Sequence, residues 1–96
     1  MEKATPKIEI IKEFMQLFYE FGKMKDLDPA SEQVQNQVKK LQDFITDNYY
    51  NCTKEILSGL GQMYSAGGEF TENIDKAGGA GTAEFTAKAI SIFCSH

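Results

Sequence analysis

Histidine and cysteine, from which many catalytic and metal sites are built, are scarce in this sequence. Its 96 residues contain one histidine, His96, and two cysteines, Cys52 and Cys94. Zinc sites draw on these two residue types, and a histidine-based catalytic triad needs an imidazole within the fold. The sequence also has no paired-carboxylate motif. We therefore expect a protein that is not an enzyme and that uses no metal or cofactor.

Long apolar runs and an excess of basic residues are also missing. The longest apolar stretches fall far short of the roughly 20 residues that a membrane span needs. The formal net charge is −4, whereas domains that bind nucleic acid usually carry a basic face. Two cysteines without a signal peptide indicate free thiols and a cytoplasmic location. We expect no membrane contact and no direct contact with nucleic acid.

The rest of the composition is that of one small globular domain. Hydrophobic residues make up 42% of the chain and aromatic residues 11%, which is typical of a folded protein rather than a disordered one. A chain of this size buries somewhat over 60% of the surface that its unfolded form exposes. We expect a single domain over residues 1–96, with no DNA-binding domain in this chain.

Apolar residues recur at helical spacing throughout, and no segment alternates with period two. The first helix is expected from Thr5-Pro6 to about Lys25, with apolar residues over more than half of its circumference. The second is expected to begin at Asp28-Pro29, where aspartate caps free N–H groups and proline fits the first turn. Its apolar seam consists of Val34, Val38, Leu41 and Ile45. Its polar face, which includes Gln35 and Gln37, is expected to be solvated.

The stretch 49–64 places two tyrosines and a cysteine at the start of a third helix. Either Asn51 caps a helix that begins at Cys52, or Thr53 caps it slightly later. Gly59 and Gly61 lie inside this helix, where each costs roughly 1 kcal/mol relative to alanine. We expect them to allow close packing of a neighbouring helix. Two further helices over residues 69–76 and 82–94 complete an all-α fold, a compact bundle of about five helices.

Several short motifs in the second half carry a resemblance to a known family. They are Gly59-Leu60-Gly61-Gln62-Met63-Tyr64, Phe70-Thr71, Asp75-Lys76, Gly81 with Ala83-Glu84-Phe85, and Ala89-Ile90. Their order and spacing resemble the TipAS domain, the antibiotic-binding domain of TipA-like, MerR-type transcription activators. The close match covers roughly residues 49–90, and the first two helices match only in their apolar pattern.

The resemblance implies a globin-like arrangement of the helices around a ligand cleft. The implied ligand is a hydrophobic small-molecule antibiotic or drug of the thiopeptide type, whose binding switches on the transcription of resistance genes. In the parent regulators a winged helix-turn-helix domain and a dimerising coiled coil precede this domain. DNA binding and dimerisation would therefore lie only in an N-terminal region that is missing here.

The resemblance also draws attention to Cys52. In the family, a cysteine a few residues before the glycine pair can attach covalently to a dehydroalanine of the drug, and Cys52 occupies that place. Asn51 and Asn48 replace a proline and a tryptophan that are common there, so the ligand itself stays open. A helix N-terminus would lower the pKa of the Cys52 thiol and favour the reactive thiolate. Alternatively, Cys52 is a small buried core residue.

Aromatic residues supply the other site candidates, because sites for drug-sized ligands are mostly apolar and aromatic. The candidate ligand-binding residues are Cys52, Tyr49, Tyr50, Phe14, Phe18, Tyr64 and Phe70. We expect at least half of the aromatic ones to belong to the core. A ligand-sensing regulatory module is the leading hypothesis. The alternative is a small helical protein-interaction module without a small-molecule ligand, which docks a partner helix on its wide first helix.

Overall fold

Five α-helices follow one another in a computed structural model of the chain, which describes residues 7–95 and the side chains from Glu9 onward. They are α1 (Lys7–Lys23), α2 (Glu32–Asn48), α3 (Lys54–Tyr64), α4 (Glu69–Gly78) and α5 (Thr82–Cys94). The described residues contain no β-strand, so the prediction of an all-α bundle is confirmed. The expected cap at Thr5-Pro6 lies outside the described residues. Within those residues, no helix combines the length and the apolar character that crossing a membrane requires.

The last helix, α5, is the centre of the bundle. It packs against each of the other four helices, and its residues span the range expected from the sequence. Four of its buried side chains are small, namely those of Thr82, Ala83, Thr86 and Ala89. Because the distance between packed helices depends on the side chains at the contact, these small residues let several helices approach α5 closely.

The second helix begins later than expected, at Glu32. Asp28 Oδ1 accepts a hydrogen bond from the Ala30 N–H at 2.9 Å, so it closes a short turn and Ser31 takes the N-cap position. The turn competes successfully with the cap because aspartate side chains readily bind backbone groups two residues on. The apolar seam was predicted correctly, since Val34, Val38, Leu41 and Ile45 are all buried.

The expected solvation of the polar face of α2 is wrong at two positions. Gln37 is buried, and its Nε2 donates to Glu20 Oε1 at 2.9 Å and to the Leu17 carbonyl at 3.2 Å. Gln35 is partly buried, and its Nε2 donates to the Ala89 carbonyl of α5 at 3.1 Å. A buried amide is stable when its hydrogen bonds are satisfied, so these two glutamines connect α2 to α1 and α5.

Close packing at glycine was expected at Gly59 and Gly61, and it occurs at Gly61 and, more tightly, between Gly22 and Gly78. A Cβ atom added to Gly22 of α1 would lie 2.6 Å from the Gly78 Cα of α4. In α3, a Cβ added to Gly61 would lie 3.0 Å from Ile90 Cγ2, whereas one added to Gly59 would meet nothing within 4 Å. Close packing therefore explains Gly61 but not Gly59, and the tightest contact joins Gly22 to Gly78.

This contact generates a stability prediction with a matched control. Gly22→Ala should lower the free energy of unfolding by about 2 kcal/mol or more, because the new methyl group overlaps backbone that cannot move aside. Gly59→Ala, also in a helix but facing open space, should raise it by about 0.5–1 kcal/mol. Urea unfolding followed by circular dichroism measures both. Equal effects of the two substitutions would show that the contact between α1 and α4 is not tight.

Candidate functional site

An open groove with apolar walls lies where α1 and α4 meet the segment that connects α2 to α3. Its volume is about 370 Å³, within the range of roughly 300–1,000 Å³ that is usual for sites of small ligands. The lining residues are Ile11, Phe14 and Met15 of α1, Ile45 of α2, Tyr49 and Tyr50 after α2, Leu60 and Tyr64 of α3, and Phe70 and Asn73 of α4.

One wall of the groove is held by stacked rings. Phe14 of α1 stacks on Phe44 of α2, with 5.7 Å between the ring centroids and 13° between the ring planes. Tyr49 lies against both rings, at 6.0 Å from Phe14 and 6.2 Å from Phe44. Aromatic pairs at such distances add to the stability that burial alone provides. This cluster therefore fixes Tyr49, whereas Tyr50 makes no ring contact with any other aromatic residue that the structure describes.

The floor of the groove is built from buried rings. Tyr64 meets Phe18 edge to face at 5.4 Å, and Phe14 lies 5.2 Å from Phe18 on the other side. Phe18 and Tyr64 are both buried. Phe70 approaches Tyr64 at 6.2 Å and closes the opposite side. Burial raises the pKa of the Tyr64 phenol, and Tyr50, Cys52 and Tyr49 raise it further.

The structure brings most of the predicted aromatic site residues to this one groove. Phe14, Tyr49, Tyr50, Tyr64 and Phe70 all line it. Phe18 lies beneath the floor and supports Tyr64. The remaining lining residues were not predicted. Ile11 and Met15 belong to the surplus of apolar positions on the first helix, a signal that could have identified them, but nothing in the sequence pattern distinguishes Asn73.

Cys52 lies behind the groove rather than on its surface. It is 3% exposed and is absent from the groove lining. Its N–H donates to Thr46 Oγ1 at 3.1 Å, and its carbonyl accepts from Gln42 Nε2 at 2.9 Å. Both hydrogen bonds tie the segment after Tyr50 to α2. The backbone of Cys52 is therefore part of what holds Tyr49 and Tyr50 in place.

The thiol of Cys52 does not have the electrostatic environment that we expected. Thr53 is the N-cap of α3, with its hydroxyl accepting from the Ile56 N–H at 3.2 Å, so Cys52 precedes the helix instead of starting it. Burial, and then the neighbouring Cys94, raise the pKa of the Cys52 thiol. The expected lowering of this pKa is therefore wrong. The later cap, at Thr53, is the correct one of the two alternatives.

Among the described residues, no group of three or more histidine, cysteine, aspartate or glutamate side chains is arranged to hold a metal ion.

The buried phenol of Tyr64 predicts how stability depends on pH. Because its pKa is raised in the folded state, the stabilisation is complete below the unfolded value of about 10 and is lost as the pH rises above it, by at most about 1.4 kcal/mol per pH unit. Tyr64→Phe should flatten this alkaline decline, and the exposed Tyr19→Phe should leave it unchanged. Urea unfolding between pH 8 and pH 11 tests this. Parallel declines in Tyr64→Phe and the parent protein would contradict it.

Comparison with known proteins identifies the family of this chain. The family described as the TipAS antibiotic-recognition domain matches residues 3–93. The chain is 32% identical over 87 residues to the HTH-type transcriptional activator mta of Bacillus subtilis (strain 168), an alignment that covers 91% of this chain and 34% of that protein. The chain thus spans about a third of the length of this relative. No solved structure shows a significant match. The chain belongs to the TipAS antibiotic-recognition domain family and corresponds to a regulatory, effector-binding domain.

Proposed function

We propose that this domain senses an apolar antibiotic or drug by binding it in the aromatic groove. The exposed rings around the groove are the observation that carries the proposal. Tyr49, Tyr50 and Phe70 are 49%, 50% and 49% exposed, although all three contribute to one concave surface. Clustered apolar exposure of this kind marks binding surfaces. A ligand in the groove would cover these rings and gain the free energy of their burial.

The placement of α1 suggests how binding would reach a DNA-binding region. Ile11, Phe14 and Met15 of α1 line the groove opposite the α4 residues, so a ligand would contact the first helix of the domain directly. In a regulator of the mta type, we propose that DNA binding and dimerisation belong to a preceding region. A ligand that binds one orientation of α1 more tightly would shift the population of the attached dimer. Such a regulator would act in the cytoplasm, where its DNA is.

A protein-interaction module is the second candidate, because the exposed apolar surface of α1 continues from the groove to Tyr19. Ile11 lines the groove and Tyr19 lies outside it, and both are exposed. A partner helix could lie along this face without any small molecule. Gel filtration over a range of concentrations distinguishes the candidates: a sensor module of these residues stays monomeric without ligand, whereas concentration-dependent association without ligand favours the interaction module.

Titration with a thiopeptide antibiotic tests the leading proposal. Binding should protect backbone amides of α1, α4 and the segment 49–53 from hydrogen exchange, because a ligand in the groove contacts all three. Calorimetry gives the affinity, and intact mass shows whether an adduct forms. No heat, no protection and no adduct with the thiopeptide would reject the thiopeptide as the effector.

Tyr50 offers the sharpest test of the groove, since its ring supports no other aromatic ring among the described residues. Tyr50→Ala should weaken thiopeptide binding about five- to tenfold through the loss of one aromatic contact, with little change in stability. The matched control is Tyr19→Ala, which removes a ring of similar exposure, 45%, outside the groove. Calorimetric titration compares the two variants. Equal affinities would place the ligand elsewhere.

We propose that covalent capture at Cys52, where it occurs, follows non-covalent binding and local opening of the segment 49–53. The thiol is buried and its pKa is raised, so thiolate is scarce until the segment opens. In native protein, iodoacetamide should modify Cys52 in Cys94→Ser at least about tenfold more slowly than in the same variant unfolded by urea. Peptide mass spectrometry over time measures this. Equal rates in the native and unfolded protein would show that the Cys52 thiol is accessible in the folded state and that covalent capture needs no local opening.

A further inference from the structure

We propose that the groove selects uncharged ligands, and that Asn73 is the polar residue that determines which of them bind. This inference rests on the proposed function, since it concerns the same groove. It adds a chemical class: apolar, ring-containing molecules without a formal charge that present a hydrogen-bonding group to a primary amide.

The groove lining has no charged side chain among the described residues. None of the described residues that line it is a lysine, aspartate or glutamate, although charged residues make up 25% of the chain. The other surface depressions differ. One beside α2 is lined by Glu20, Lys23, Asp26 and Lys40, and one between α3 and α5 includes Glu84 and Lys88. The absence of charge is therefore a property of this groove and not of the surface in general.

The electrostatic surroundings of Tyr64 agree with a groove whose described lining carries no charge. The causes that raise the pKa of its phenol are burial, Tyr50, Cys52 and Tyr49. No lysine or carboxylate of the described chain is among these causes. A cation that entered the groove would lose its water without gaining an opposite charge, which is unfavourable in apolar surroundings. A neutral ligand of the same shape would not bear this cost.

Asn73 is the lining residue that is neither apolar nor aromatic. It follows Phe70 by three positions, so the two side chains share a face of α4, and the buried Ile74 fixes the rotation of the helix. The Asn73 amide has no hydrogen-bond partner among the described residues. By contrast, the amides of Gln35, Gln37, Gln42 and Asn48 each donate to a backbone carbonyl. Two donors and one acceptor group of Asn73 are thus available to a ligand.

Two probes that differ in charge but share three phenyl rings test the selection. Triphenylphosphine oxide is neutral and presents one acceptor oxygen, whereas methyltriphenylphosphonium replaces that oxygen with a methyl group and carries a positive charge. Titrations followed by amide chemical shifts give both affinities for the 96-residue chain. The oxide should bind at least about tenfold more tightly than the phosphonium. Equal affinities, tighter binding of the phosphonium, or binding of neither probe would overturn the proposal.

Substitutions at Asn73 separate its role from that of the apolar walls. Asn73→Leu should weaken binding of the oxide by about fivefold through the loss of a hydrogen bond. Asn73→Asp should strengthen binding of the phosphonium by about threefold. Asn36→Leu is the matched control, an exposed asparagine on α2 outside the groove, and should change neither. Unchanged oxide binding in Asn73→Leu would overturn the role of Asn73.

The thiopeptide titration keeps the two proposals distinguishable. If the thiopeptide binds the parent protein and the two probes bind equally, only the selection against charge is wrong. If neither the thiopeptide nor either probe binds, the groove is not a ligand site, and both proposals are wrong.

Discussion

The contact between Gly22 and Gly78 is the constraint on which the groove depends. It joins the C-terminal ends of α1 and α4 with no side chain between the two backbones. The N-terminal halves of the same helices carry the groove residues, Ile11 and Met15 on α1 and Phe70 on α4. The glycine contact fixes α1 and α4 against each other at one end, and the groove residues lie on the other halves of the same two helices. The position of these residues relative to one another therefore depends on the contact between Gly22 and Gly78.

Sequence patterns predicted the elements that depend on local rules. The buried seam of α2 follows from apolar spacing alone, and the family resemblance through motifs such as Phe70-Thr71 agrees with the match over residues 3–93. The predicted start of α2 was wrong because Asp28 could either cap the helix or close a short turn. It closes the turn, and the helix begins later, at Glu32. The globin-like arrangement stays a prediction. Local signals therefore predict the presence of a helix more reliably than the residue at which the helix begins.

Features that depend on a partner distant in the sequence could not be predicted. A glycine inside a helix looks the same whether its neighbour is Gly78, as for Gly22, or open space, as for Gly59. The pKa of Cys52 depends on the burial of its thiol and on Cys94, neither of which the local sequence shows. Nothing in the local sequence distinguishes Asn73 from an asparagine on a solvated helix face. Its place in the groove follows only from the packing of α4 against α1.

The aromatic rings at the groove fall into a buried group and an exposed group. Phe18 and Tyr64 are buried, so they contribute to the core whether or not a ligand is present. Tyr50 contributes little to the core, because its ring is half exposed. The backbone of Cys52, two residues after Tyr50, hydrogen-bonds to Thr46 and Gln42 of α2. The segment that carries Tyr50 is therefore held to α2 by the hydrogen bonds of Cys52 and not by burial of the Tyr50 ring.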